Sequence, residues 1–382
     1  MPKQNPIGEK AIAQHKKLKG KLSIISKASL ETKEDLSIYY TPGVGAVSTY
    51  LARHKTELRD FTIKRNCVAV ISDGSAVLGL GNLGPEGALP VMEGKCQLFK
   101  TFANVDAFPI VLDTQDVNEI VETIKHIAPV FGGINLEDIS APRCFEIENR
   151  LIEELDIPVM HDDQHGTAVV VLAALINAAK VAGKKMSRLK ITIVGAGASA
   201  IAVARLMILE GVGDVILVDS KAIVSRERSD INLAKKEILK ITNKANISGP
   251  MEKAIKGADV LIGLAKAGLF KPEHIKSMAK KPIVFAMANP VPEILPIEAK
   301  RAGAYVVATG RSDFPNQINN VLGFPGIFRG ALDNNVRKIT PQMRLRAAKN
   351  LATLIKKPTP TKIIPSPFDK RVVRAVAKAI KD

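Results

Sequence analysis

Residues 190–219 hold the pattern that most restricts this chain. An apolar strand, KITIVG, runs into Gly195-x-Gly197-x-x-Ala200, then a helix, ASAIAVARLMILE, and then a second strand, VILVD, that ends on Asp219. Glycines at such a turn let the backbone approach a pyrophosphate, a small third residue permits close helix–sheet packing, and an acidic residue about twenty positions on meets ribose hydroxyls. The alternation continues through ADVLIGLA, PEHIKSMA, PIVFAMA and AYVVATG. That succession predicts a parallel doubly wound sheet of Rossmann type over 161–382, with Gly195, Gly197, Ala198, Ser199, Ala200 and Asp219 around a dinucleotide.

Upstream the reading is a second, less regular α/β domain over 1–160. Strands at CVAVIS, AFPIVLD and FGGIN alternate there with helices at DVNEIVETIKHIA and PRCFEIENRLIEEL. The stretch 167–181, TAVVVLAALINAAKV, is apolar nearly all round and is expected to be a buried helix where the domains meet. Two amphipathic segments, PQMRLRAAKNLATLI and DKRVVRAVAKAI, flank a proline-rich link and are expected to cap a domain or a subunit contact.

Composition narrows the function classes. A chain of 382 residues suffices for two cores, no apolar run approaches a membrane span, and the basic amino terminus lacks a secretory h-region. Cys67, Cys96 and Cys144 are odd in number and far apart, which fits a reducing, cytoplasmic setting. The net charge of +17 raises the alternative of a basic nucleic-acid-binding protein on a Rossmann fold. Against it, the cations are scattered, aromatics are only 4%, and no RNA- or DNA-binding module spacing occurs. A field of this sign also concentrates anionic substrates near a cleft.

Glu137 and Asp138 in INLEDIS and Asp163 in MHDDQHGTA supply carboxylate oxygens without cysteine partners, a donor set suited to Mg²⁺ or Mn²⁺. Each acidic pair alone reads equally well as a helix cap, and only the combination argues for a metal. Asp162 is read as a supporting residue. His161 and His165 have the i, i+4 spacing of zinc ligands, but they precede Gly166 and are expected in the entering loop. A second glycine-rich match, Gly79-Leu-Gly81-Asn-Leu-Gly84, has no acidic strand end at coenzyme distance; its amides are candidates for holding an anion such as a substrate carboxylate. A hard metal beside a nicotinamide points to oxidation of a hydroxy acid followed by decarboxylation.

Seven motifs in order, SIYYTPGVG, LGLGNLGPEGALPVMEGK, LEDISAPRCFEIE, HDDQHGTA, GAGASA, MANPVPE and SDFPNQINNVLGFPGIFRGALD, resemble the malic enzymes of the short bacterial and archaeal type. The resemblance implies an N-terminal malic domain and an NAD(P)-binding domain. It also implies conversion of L-malate to pyruvate and CO₂ with NAD, or NADP, as acceptor, and a homodimer. Malolactic members of the family, which form lactate with bound NAD, define an alternative. By position in those motifs, Tyr40 and Lys95 are the implied catalytic pair, and Glu137, Asp138 and Asp163 the implied metal ligands. Asn289 and Asn320 are implied at the malate, with Asn289 also beside the coenzyme.

Lys95 is expected as the base, with a pKa lowered by burial and a nearby cation, and Tyr40 as the acid; which of the pair serves which step stays open. Tyr39 is expected in the core, and Cys96 as a small buried hydrophobe. Where long members carry an arginine before the glycine-rich motif, this chain has Ser75 and Ala76, so the malate carboxylate must find another partner. Asp219 favours NAD, whereas Lys221, Arg226 and Arg228 nearby offer charge to a 2′-phosphate.

Overall fold

The computed structural model describes residues 6–381. Two parallel sheets organise it. Strands β1 (Cys67–Ser72), β2 (Asp106–Val111), β3 (Gly133–Leu136) and β4 (Val159–His161) form the first, in the order β2-β1-β3-β4. Strands β5 (Lys190–Val194), β6 (Asp214–Val218), β7 (Val260–Gly263), β8 (Ile283–Ala286) and β9 (Val306–Thr309) form the second, in the order β6-β5-β7-β8-β9. The doubly wound order expected downstream is therefore present, and β1 and β3 are buried along their whole length, as continuous apolar runs in a parallel sheet should be.

Register places the chemistry. Ile71 pairs with Leu136 and Leu136 with His161, so the residues that follow each strand, Glu137 and Asp162 among them, leave from one edge of the first sheet. Val194 pairs with both Val218 and Gly263, which likewise brings Gly195 and Asp219 to one edge of the second.

The helix Asp162–Ala182 joins the two halves. At 21 residues and mean hydropathy 1.6 it is long and apolar enough to cross a membrane, yet 72% of its apolar stretch is buried inside the protein. It lies in a core cluster that also takes in Val68 and Val70 of β1 and Ile191 and Ile193 of β5. The two C-terminal segments form the helices Pro341–Thr353 and Arg371–Ala377, which bury Leu351 and Val376 in that same cluster and so cap the chain itself.

Three expectations change. The long helix starts at Asp162 rather than at 167, so the HDDQH residues form its first turn instead of an entering loop. A short helix, Pro296–Arg301, separates β8 from β9 where the sequence suggested strand following strand. Tyr39 is 56% exposed and not a core residue. It belongs to a segment, with the helices Lys33–Tyr39 and Gly43–Arg53, in which no residue is buried.

Candidate active site

Lys95 stands on the helix Gly84–Ala103, among Met92, Cys96 and Phe99, on the buried face. Its ammonium lies 2.7 Å from Asp162 Oδ2 and 2.8 Å from Glu137 Oε1, and 4.4 Å over the ring of Phe324. Asn320 donates to the same Asp162 oxygen at 2.6 Å. Burial alone lowers the Lys95 pKa, but Asp162 and Glu137 more than reverse this and hold it above its ordinary value. The expectation of a lowered pKa is thus corrected for this state, in which Lys95 is an ammonium. Sequence reasoning gave Asp162 only a supporting place; the structure makes it the residue joining Lys95 to Asn320. Gly166 is required there, because a Cβ would sit 1.7 Å from Asp162 Oδ1.

Glu137, Asp138 and Asp163 each offer an oxygen within 4.8 Å of the others. Asp163 Oδ2 accepts from the Asp138 amide at 2.8 Å, and Asp138 takes a left-handed backbone, φ +54, to turn into the cluster. Burial, then the neighbouring Asp163, push the Asp138 carboxyl up to about 7. Glu137 is raised too, by burial, with Lys95 opposing and Asp163, Asp162 and Asp138 adding. Asp138 Oδ2 is buried without a partner. One ammonium therefore faces four carboxylates, and a small divalent cation is the species that relieves both the charge excess and the unpartnered oxygen. Among the described residues this metal-ligating group is made of carboxylates alone. His165 instead bonds Glu148 at 3.1 Å, and the His161 ring stays 3.6 Å from Asp163.

The first glycine loop is spent on itself. The Leu83 and Gly84 amides both donate to Gly74 O, and a Cβ on Gly74 would meet Gly84 O at 2.1 Å. The Leu78 amide bonds Asp138. The Leu83 and Gly84 amides thus close the loop on Gly74, and the Leu78 amide braces the acidic cluster. Cys96 is a buried thiol whose pKa burial raises, as expected of a small hydrophobe.

At the second sheet, a cavity of about 670 Å³ is lined by Gly195, Gly197, Asp219, Ser220 and Lys235. Gly195 has φ +109, and a Cβ there would lie 2.3 Å from Leu264 O; Gly197 faces open space. The helix Ala198–Leu209 begins at Gly197 with no side-chain cap, which leaves its first amides available to a pyrophosphate. Ala200 is 1% exposed, packed as a small third residue should be.

Asp219 is clamped: Arg228 reaches it at 2.8 Å, Lys235 at 2.6 Å, and the Lys221 and Ala222 amides at 3.0 and 3.1 Å. Burial works against its ionisation, but Arg228 and Lys235 outweigh burial and hold the carboxyl below its usual range. Lys235 was not singled out from sequence, since a lysine on a polar helix carries no signal of what it faces. Arg226 turns away, to the carbonyls of Asn243 and Leu239.

Two of the expected residues stay apart from the cluster. Asn289 is exposed, just past the carboxyl end of β8. Tyr40 is 63% exposed, and among the described residues no hydrogen bond joins it to Lys95.

A dinucleotide cradle on one sheet edge and an acidic, lysine-bearing cluster on the other are the parts of a coenzyme-dependent oxidoreductase. The comparisons agree. Residues 19–152 match the family model "Malic enzyme, N-terminal domain" and residues 164–381 match "Malic enzyme, NAD binding domain". The bifunctional malic/malolactic enzyme of Bacillus subtilis is 52% identical, over 97% of this chain and 92% of that one. The NAD-dependent malic enzyme of Geobacillus stearothermophilus is 54% identical, over 94% and 76%. The crystal structure of an NAD-dependent malic enzyme from Thermotoga maritima superposes with TM-score 0.94 at 48% identity, covering 97% of this chain and 98% of that one. The chain belongs to the malic enzyme family.

Proposed function

We propose that the protein oxidises L-malate and releases CO₂ to give pyruvate, using NAD⁺, with NADP⁺ as a weaker alternative, and Mn²⁺ or Mg²⁺. The observation that carries this reading is the joining of Lys95, Asp162 and Asn320 to the Glu137/Asp138/Asp163 group at one sheet edge. Glu137, Asp138 and Asp163 would hold the metal, which when bound polarises a carbonyl and withdraws electron density during loss of CO₂. The Gly195–Ala200 loop and Asp219 would hold the nicotinamide coenzyme, which takes the hydride from C2.

The chain's own residues manage protons. With Glu137 serving as a ligand, Lys95 would lose one of its two carboxylate partners and its pKa would fall, so that it could accept the C2 hydroxyl proton and pass it to Asp162. Asn320, already bonded to Asp162, and Asn289 orient malate. Return of a proton to C3 of the enol product is assigned to Tyr40.

Tyr40 cannot do this from bulk water. The same amino-terminal stretch of chain exposes Ile24 at 83%, Ile25 at 82% and, directly beside Tyr40, Ile38 and Tyr39, apolar side chains of the kind that subunit contacts cover. We assign the cover to a second copy of the chain, making a homodimer in which Tyr40 is drawn out of solvent. Glutamate at Ile24 and Ile25 should then give monomers with little turnover, as read by light scattering and assay. The buried free thiols of Cys67, Cys96 and Cys144 fit the reducing cytoplasm.

The deciding experiment is a malate assay with each coenzyme and each metal, quantifying pyruvate and reduced coenzyme. Because the Bacillus subtilis relative is named a malic/malolactic enzyme, lactate is measured as well. Lactate formed without net coenzyme reduction would establish the malolactic reading instead.

A further inference from the structure

Glu148 has had no role so far. It lies within the helix Arg143–Glu154 and is 4% exposed, and Arg344 of the helix Pro341–Thr353 acts on it through charge. Its hydrogen-bond partners among the described residues are all on one turn: the His161 amide donates at 2.8 Å, Gln164 Nε2 at 2.9 Å, and the His165 ring stands at 3.1 Å. That turn projects Asp162 onto Lys95 and Asp163 onto the Asp138 amide. It also opens the helix Asp162–Ala182, whose N-terminus has no capping side chain of its own. A carboxylate at this point meets an orphan amide and the positive end of the helix dipole. Burying it is costly unless its oxygens are bonded, and here every bond fixes the ligand-bearing turn.

We propose that Glu148 is a positioning residue whose carboxylate locks residues 161–165, so that Asp163 is preorganised for the divalent cation. This rests on the metal site proposed above. The Asp163 side chain is 31% exposed, and among the described residues its carboxylate has one hydrogen bond, from the Asp138 amide, so its aim depends on the backbone of the turn. A slip there displaces Asp163 and, through that amide, Asp138.

The test measures Mn²⁺ binding to the whole protein, without malate or coenzyme, by calorimetry and by the Mn²⁺ electron paramagnetic resonance signal. Glu148→Gln sets two donors against each other at Gln164, and should weaken Mn²⁺ by about 10- to 100-fold while leaving NAD⁺ binding unchanged. The exchange Glu148→Gln with Gln164→Glu restores one donor opposite one acceptor and keeps the His161 amide bonded, so affinity should return. Should the single variant fail to fold, Gln164→Met removes one donor and must also weaken Mn²⁺. Unchanged Mn²⁺ affinity in the folded variants, or an exchange variant no better than Glu148→Gln, would overturn the proposal. Wild-type protein that binds no Mn²⁺, or binds it equally well after Asp163→Asn, would instead overturn the metal site, and the role of Glu148 with it.

Discussion

Each sheet presents acidic residues at its carboxyl edge, and the two sets are in opposite electrostatic conditions. Asp219 has two cations and two amides on its oxygens and ionises more readily than a free carboxyl. Glu137 and Asp138 share one ammonium with two further aspartates, and both carboxyls are pushed up. A carboxylate that the protein neutralises itself is a recognition surface. A group of carboxylates left with a charge excess calls for a cation from outside, and the difference separates a site suited to a neutral sugar edge from one suited to a metal.

The comparison breaks most visibly at Lys95, the ammonium paired with Glu137 and Asp162. Lys95→Ala should lower kcat by about 100- to 10,000-fold, the range of a lost proton-transfer residue, with coenzyme affinity little changed. Steady-state kinetics and NAD⁺ titration check this, and near-normal kcat would remove Lys95 from the chemistry. Asp163→Asn should weaken Mn²⁺ by more than about 100-fold, beyond the loss typical of outer partners, and abolish malate turnover while NAD⁺ still binds.

Glu148 sharpens the contrast, being buried like the cluster but satisfied like Asp219. Burial opposes its ionisation, yet His165 and the His161 amide bring its pKa down to about 2 from an ordinary 4.5. A depressed carboxyl contributes stability above its unfolded pKa and loses it as pH falls through the folded value. Its contribution should therefore fade as pH falls below about 4.5. In urea unfolding, the advantage of wild type over Glu148→Gln should shrink between about pH 6 and about pH 3; a constant gap would show that Glu148 is not depressed.

The smallest effect is expected at the coenzyme. Asp219→Ser should raise the ratio of kcat/KM for NADP⁺ over NAD⁺ by about 10-fold, since it frees Arg228 and Lys235 to meet a 2′-phosphate. Lys235→Ala should move the ratio the other way. If wild type already prefers NADP⁺, the clamp cations decide and the carboxylate does not.

Much of this arrangement was legible in the sequence, and the failures share a cause. Strands such as CVAVIS and KITIVG announce themselves by apolar runs, and the glycine loop by its spacing. The turn Asp162–Gly166 reads as loop because its residues are polar, but they face Lys95 and Glu148 rather than water. β4, at three residues, is too short to leave a pattern. The ion pairs that raise the Lys95 pKa in this state were not legible because the controlling partner lies 67 residues along the chain, a separation at which composition says nothing of contact. Lys235 and Glu148 were missed for the same reason: each is an ordinary polar residue on a helix until the opposite element is in place.

The helix Asp162–Ala182 has one further consequence. Its first turn carries chemistry, and the remainder is enclosed by both sheets and by the helix Ala198–Leu209. A helical amide exchanges its hydrogen with solvent only when its surroundings open, and no local fraying exposes this one. Its amides from Ala168 onward should be among the slowest in the protein to take up deuterium, while those of the helices Lys33–Tyr39 and Gly43–Arg53, where nothing is buried, exchange early in the isolated chain. Asp162 and Asp163 thus sit on the end of a rod that opens only with the core it shares with both sheets.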